Sequence, residues 1–283
     1  AFGTVENTDS DTEAAAAALT LLGKAGFIGL SVSTYETNYG LPGVHAHEEE
    51  EPLPGEAEEE EIIRIDLDQT RYDLRGEFNT NGFVESTRFK LAVNDYQHVE
   101  LEGPEVGTLY DKQGIDSRIE LKHRAIGNLE GAFGLQYKRI DFDAIGEEAF
   151  VPASKTTQLG LFLWEEWTAT DALTFQGSAR IEQQEITSEG RPGYDDTAAG
   201  VAIGAIWSLA ENYTLSGNLS ATERHPNSTE LYADGPHLAV QRFEQGSVSQ
   251  GNDILEKELS QNLDLTLRAD FSLVELAITG FMN

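Results

Sequence analysis

Six histidines and fifty acidic side chains supply almost all the ligand chemistry in this 283-residue chain, because it contains no cysteine. Any metal must therefore be held by imidazole nitrogen and carboxylate oxygen. The densest concentration of both lies between His45 and Glu61. There His45 and His47 stand two residues apart, followed by Glu48, Glu49, Glu50 and Glu51, then Glu56 and Glu58 to Glu61. Imidazole with carboxylate suits Zn²⁺, whereas carboxylates alone favour Ca²⁺ or Mg²⁺, and a bare charge run serves equally as a solvated surface. His225 and His237 fall in a second long connection, beside Glu223, Glu230 and Asp234, and are too far apart to form a local clip. His98 is a further candidate ligand.

Catalytic patterns are missing. No Gly-x-Ser-x-Gly elbow, phosphate loop or dinucleotide glycine pattern occurs, so neither a cofactor nor an enzyme is expected. Glu165 and Glu166 are adjacent in an extended segment and point to opposite faces, so they cannot flank one scissile bond. A formal charge of -31 repels nucleic acid and excludes it as a partner.

The elements that must carry these residues are strands. Apolar and polar residues alternate with period two, as in Tyr72, Leu74, Gly76 and Phe78 against Arg71, Asp73, Arg75 and Glu77. The same alternation sets Phe89, Leu91 and Val93 against Arg88, Lys90 and Asn94, and His98 shares the polar parity. The pattern predicts twelve strands, over 12–22, 26–38, 62–78, 83–101, 110–124, 129–142, 156–169, 173–188, 197–209, 213–224, 256–270 and 273–283. Ala14 to Ala18 also suits a helix by propensity, but the Gly23 to Gly26 turn that follows favours a strand.

Connections between these strands alternate short and long. The long ones are 39–61, 102–109, 143–155, 189–196 and 225–255. The longest purely apolar run, Ala14 to Leu19, is far below the ~20 residues of a membrane helix. Membrane strands need only roughly 9 to 11 residues each, and a transmembrane barrel puts short turns on one side and long loops on the other. The reading is an all-β, antiparallel, up-and-down transmembrane barrel segment bordered by outer-membrane lipid. Trp164, Trp167, Trp207 and Tyr213 form its inner aromatic girdle. His123 shares the parity of Ile119 and Leu121 and is assigned to the interface. The chain begins at Ala1 without the pattern of a signal peptide, which reads as a processed protein or a piece of a longer one.

Several long stretches carry a family resemblance. They are Thr70 to Phe78, Ala144 to Pro152, Arg224 through His225-Pro226 and Glu230 to His237 to Gly246, and Glu256 to Leu265. Together they resemble the barrel of TonB-dependent outer-membrane receptors of Gram-negative bacteria. Tyr39-Gly40-Leu41-Pro42-Gly43, followed by the His- and Glu-rich run, is most similar to the zinc-uptake receptors. The resemblance covers the chain from about Gly26 to its end. It implies a roughly 22-stranded barrel, of which these twelve strands are an arc, and energy-coupled uptake of a metal ion or metal complex with Zn²⁺ as the transported ligand. It also implies a plug and a TonB box through which the TonB complex acts, for which this chain offers no candidate. On this reading His45, His47 and Glu48 to Glu51 form an external capture loop, and His98, His225 and His237 are weaker metal candidates. The alternatives are a receptor for iron-siderophore or haem and, from another class, an acidic Ca²⁺-binding β-rich surface protein.

Overall fold

A computed structural model describes residues 5–45, 62–146, 149–237 and 242–283. One antiparallel sheet of twelve strands runs in chain order: β1 (Ser10–Gly23), β2 (Gly26–His45), β3 (Ile62–Asn79), β4 (Val84–Glu102), β5 (Glu105–Ile126), β6 (Leu129–Gly146), β7 (Ser154–Thr170), β8 (Leu173–Thr187), β9 (Tyr194–Ala210), β10 (Tyr213–Arg224), β13 (Glu258–Phe271) and β14 (Val274–Met282). The long connection after β10 folds into a one-turn helix, α1 (Ser228–Tyr232), and a small hairpin of β11 (Asp234–His237) with β12 (Arg242–Gln245). No helix among the described residues is long and apolar enough to cross a membrane.

Residues 10–23, which contain the alanine run, are extended and pair with β2 from Ser10 opposite Tyr39 to Gly23 opposite Gly26. Each strand of this sheet thus hydrogen-bonds the next in chain order, β10 joining β13 past the β11–β12 excursion, and among the described residues β1 and β14 are its two edges.

Register divides the side chains between two faces. Phe89, Ile119, Leu135, Leu161 and Ile181 are opposite one another in successive strands and form a continuous outer row. Leu161 and Ile181 are more than half exposed, as residues that meet lipid must be. The complementary row Arg75, Lys90, Arg118 and Gln136 faces inward.

Towards the long-loop side the outer face changes character. Above Tyr72, Val93 and Ile115 stand Asp68, Asp95, Asp111, Asp141 and Asp143. That switch marks the upper edge of the lipid zone, because charge on the lipid face is costly inside the hydrocarbon. The strands outrun the membrane: β5, with 22 residues, is about 70 Å long at roughly 3.3 Å per residue, against ~30 Å of hydrocarbon. Much of the negative charge therefore sits on projecting walls.

Two expectations are corrected. The connection at 102–109 is a tight Gly103-Pro104 turn between extended strands, with Gly103 at φ 55, a conformation that glycine adopts without steric cost. Trp164 is not in the girdle: it pairs with Ser178 and Ala132 on the inward face and lines a lumenal recess with Phe162. Adjacent parity decides this, since Leu163 faces out. Trp167, stacked on Phe175 at 5.7 Å, and Tyr213, edge-on to Phe271 at 5.9 Å, do lie on the outer parity by the short turns, as does Trp207.

Placing Arg at Leu161, on the outer face, is expected to destabilise the folded protein by about 2–4 kcal/mol. Arg at the inward Gln136 is expected to be nearly neutral. Urea titration of the protein refolded in lipid vesicles checks both, and equal losses would contradict the facial assignment.

Candidate functional site

The inward face is a ladder of charge laid out by cross-strand pairs. Near the short turns, Arg88 donates to Glu77 at 3.1 Å and to Glu120 at 3.0 Å, and Glu120 also accepts from Arg118 at 2.9 Å. Higher up, Arg71 donates to Asp73 at 2.8 Å, and Gln136 donates to Asp116 at 3.1 Å. The Arg118 guanidinium lies 3.8 Å above the Phe162 ring, a cation–π contact across the wall.

Two recesses open along this wall. The mid-lumen one, about 710 Å³, is bounded by Arg71, Asp73, Arg75, Lys90, Asp116 and Arg118, with Lys112 and Lys138 at its upper side. The second, about 700 Å³, lies at the mouth and is lined by Tyr96, His98, Tyr110 and Phe142, the amides of Gln69, Asn94, Gln158 and Gln184, and again Lys112 and Lys138. Its far rim is Asn227, Ser228 and Thr229, at the start of α1.

The excursion after β10 is held over this mouth by local chemistry and packing. Asn227 caps α1: its side chain accepts from the Glu230 amide at 2.9 Å, while Glu230 accepts from the Asn227 amide at 2.9 Å. Asn227-Ser228-Thr229-Glu230 is therefore a capping box readable in the sequence, although strand periodicity alone passes over it. Leu231 and Tyr232 are fully buried against Ile186 and Tyr194, and the Tyr232 hydroxyl donates to the Pro192 carbonyl at 2.7 Å. Arg224 clamps the base, donating to Glu230 at 2.9 Å and to Glu258 at 2.9 Å.

The candidate ligands are spread out rather than gathered. His98 faces the mouth recess, stacks on Tyr110 at 4.4 Å, and shares a hydrogen bond with the Tyr96 hydroxyl at 3.0 Å through Nδ1. His225 is buried with both ring nitrogens engaged, Nδ1 with the Tyr194 hydroxyl at 2.8 Å and Nε2 with the Glu182 carbonyl at 3.2 Å. A carbonyl only accepts, so Nε2 carries the proton and Nδ1 accepts from tyrosine. His237 stacks on Phe150 at 4.7 Å and contacts Glu244 at 3.0 Å. His45 closes β2, its backbone paired with Ile62, whereas His47 and Glu48 to Glu51 lie outside the described residues. Among the described residues no three His, Asp or Glu side chains are grouped to hold a metal.

His123, on the outer parity beside the short turns, stacks on Phe83 and contacts Glu165 at 3.0 Å. The signal that sequence reading missed is the pair Lys112 and Lys138. Each has inward parity with the lumenal ladder, yet register was needed to bring both to the same two recesses.

Residues 27–283 match the family described as TonB dependent receptor-like, beta-barrel. The chain belongs to this family, whose members are outer-membrane proteins of Gram-negative bacteria. Solved structures share the fold at low identity. The copper transporter OprC matches with a TM-score of 0.76 and 14% identity, over 96% of this chain and 44% of that one. The FrpB iron transporter from Neisseria meningitidis gives 0.73 and 13%, over 98% and 46%. FpvA of P. aeruginosa, in a complex with a heterologous pyoverdine and iron, gives 0.66 and 12%, over 96% and 41%. The chain thus spans less than half the length of these transporters.

Arg224 holds the Glu230 carboxyl below its ordinary value of 4.5 by hydrogen bonding, against a smaller opposing effect of burial. A depressed carboxylate contributes stability that is complete above its unfolded pKa and is lost as pH falls through the lower folded value. Limited proteolysis within 225–257 is therefore expected to accelerate on acidification below 4.5, with Glu230→Gln already fast at neutral pH and flat across that window. Asn227→Ala should loosen the same segment by about 1 kcal/mol.

Proposed function

We propose that this chain is the barrel portion of a receptor for energy-coupled uptake of a metal, as an ion or a complex, across the outer membrane. Family membership and the mouth recess above a polar, charged lumen support this reading. Coupling is assigned to the TonB complex acting through a plug, as in the resemblance on which the sequence reading rests.

Zinc is the finer proposal for the cargo. The observation that carries it is the attachment of the His- and Glu-rich stretch. His45 at the end of β2 is paired with Ile62 at the start of β3, so both ends of the intervening segment are anchored at the external rim. His45, His47 and Glu48 to Glu51 then act as a capture set at the entrance. His98, inside the mouth, is the next imidazole along the route. Its Nε2 makes no hydrogen bond among the described residues. His225 and His237 are weaker ligands in this scheme, because their contacts with Tyr194, Glu182 and Glu244 hold them in place.

A second reading, a receptor for an iron chelate, is favoured by the aromatic and amide lining of the mouth recess, which suits an organic ligand better than a bare ion.

Isothermal titration of the full receptor in detergent separates the two. Zn²⁺ is expected to bind in preference to Ca²⁺, with affinity falling at least roughly tenfold in a His45→Ala/His47→Ala variant, the loss of about 1.4 kcal/mol or more. Zn²⁺ binding that survives the double substitution unchanged would remove the capture role, and an absence of Zn²⁺ binding would remove zinc.

A further inference from the structure

The chain carries 19 Lys and Arg against 50 Asp and Glu. Even so, one stretch of its inner wall reverses that balance. Around the mid-lumen recess Arg71, Arg75, Lys90, Lys112, Arg118 and Lys138 turn inward, against the carboxylates of Asp73 and Asp116. A seventh cation at the recess, Arg139, has outer parity and is bound to Asp141 at 2.7 Å.

Carboxylates neutralise only part of this group: Arg71 pairs with Asp73 and Arg118 with Glu120, which leaves Arg75, Lys90, Lys112 and Lys138 without an ion pair among the described residues. Asp73 is occupied by Arg71, and Asp116 accepts from Gln136. Arg118 is shared between Glu120 and the Phe162 ring. Lys90, Lys112 and Lys138 make no ion pair or hydrogen bond among the described residues. Elsewhere on the wall, comparable cations are matched: Arg88 by two glutamates, Lys122 by Glu85 and Glu130, and Arg180 by Glu182.

Register stacks the inward cations along the barrel. From the mouth downwards the successive rows contain Lys112 opposite Phe142, then Arg71 opposite Asn94, then Asp116 opposite Lys138, then Arg75 opposite Lys90 and Lys90 opposite Arg118. Lys112 and Lys138 line the mouth recess as well as the mid-lumen one, so the two spaces share a cationic border. Low-dielectric walls focus the field of such a group into the space between them, which attracts anions and repels a bare divalent cation.

We infer that the β3–β6 wall is a binding track for a small multivalent oxyanion, of the polycarboxylate or phosphate class, so that the metal enters the lumen as an anionic complex. This inference rests on the uptake reading above and specifies the chemical form of its cargo. Flexible lysines suit it, since an ammonium group is a point charge that can follow a ligand from one row to the next. The aromatic and amide side chains of the mouth recess would then contact the uncharged parts of the complex, while Lys112 and Lys138 pass its anionic groups downward.

The test titrates the full receptor in detergent with citrate and with pyrophosphate, each at low and high salt. Zn²⁺ and preformed zinc citrate are titrated in parallel. Both anions are expected to bind with salt-sensitive affinity. Lys112→Gln/Lys138→Gln and Arg75→Gln/Lys90→Gln should each weaken that binding by roughly tenfold or more, the scale of losing a charged hydrogen bond. Lys112→Arg/Lys138→Arg should restore it. Heat-modifiable migration on gels reports whether each variant is folded. If the neutral variants do not fold, the salt dependence of the unsubstituted receptor and the arginine variant still decide the matter. Unchanged anion affinity in folded neutral variants, or salt-independent binding, would overturn the track. So would binding of neither anion, the outcome expected if these cations pair with a polypeptide inside the lumen. Anion binding that persists when Zn²⁺ binding is absent leaves the track standing and removes only the zinc assignment.

Discussion

Everything in this molecule depends on satisfying backbone hydrogen bonds where no water is available to do it. A strand in hydrocarbon has to pair on both sides, and the continuous ladder from β1 to β14 provides that pairing for all but the two edges. Once the ladder is fixed, side chains have only two directions, outward to lipid or inward to the lumen. The apolar outer rows and the charged inner rows are the consequence, and so is the demand that Leu163 and Trp164 part company although they are neighbours in sequence. The edges at β1 and β14 remain aggregation-prone unless other strands pair with them.

The long strands turn this two-faced sheet into a structure with vertical zones. Below, the outer face carries aliphatic and aromatic residues, while above it the same parity carries Asp68, Asp95, Asp111 and Asp141. The large negative charge is thus concentrated partly on projecting walls. Some of the scarce positive charge is gathered on the inner wall between β3 and β6. A net charge averages these surfaces and hides their opposition. An entrance flanked by acid and a lumen lined by base is the arrangement behind the proposed capture of a metal at the rim and its onward passage as an anionic complex.

The excursion over the mouth is built in a different way from the barrel. It is short on regular structure, so its position depends on a few specific contacts: the Asn227–Glu230 box, the Arg224 clamp, and the burial of Leu231 and Tyr232. His225 belongs to this scaffold. Its two hydrogen bonds tie the loop to β8 and β9, which accounts for the imidazole without a metal, though a histidine with free nitrogens at the same place in sequence would look identical.

The class of fold, the number of strands in the main sheet, the order in which they pair and the face on which most residues lie are all legible in the chain. They are legible because period-two alternation and turn residues are local signals, and because an up-and-down barrel pairs strands that are neighbours in the chain. The alanine-rich β1 was legible from its turn despite helical propensity. Where distance along the chain matters, legibility ended. The tight turn at Gly103-Pro104 was obscured because the start of β5, Glu105 to Leu109, shows no sustained alternation, carries Gly107 next to the Gly103-Pro104 pair and so reads as loop. Tertiary structure alone decided that His98 faces the mouth recess while His225 is locked by Tyr194, and that Lys112 and Lys138 meet at the same two recesses. These facts depend on cross-strand register and on a returning loop, which set contacts between residues dozens of positions apart and leave no local periodicity to read.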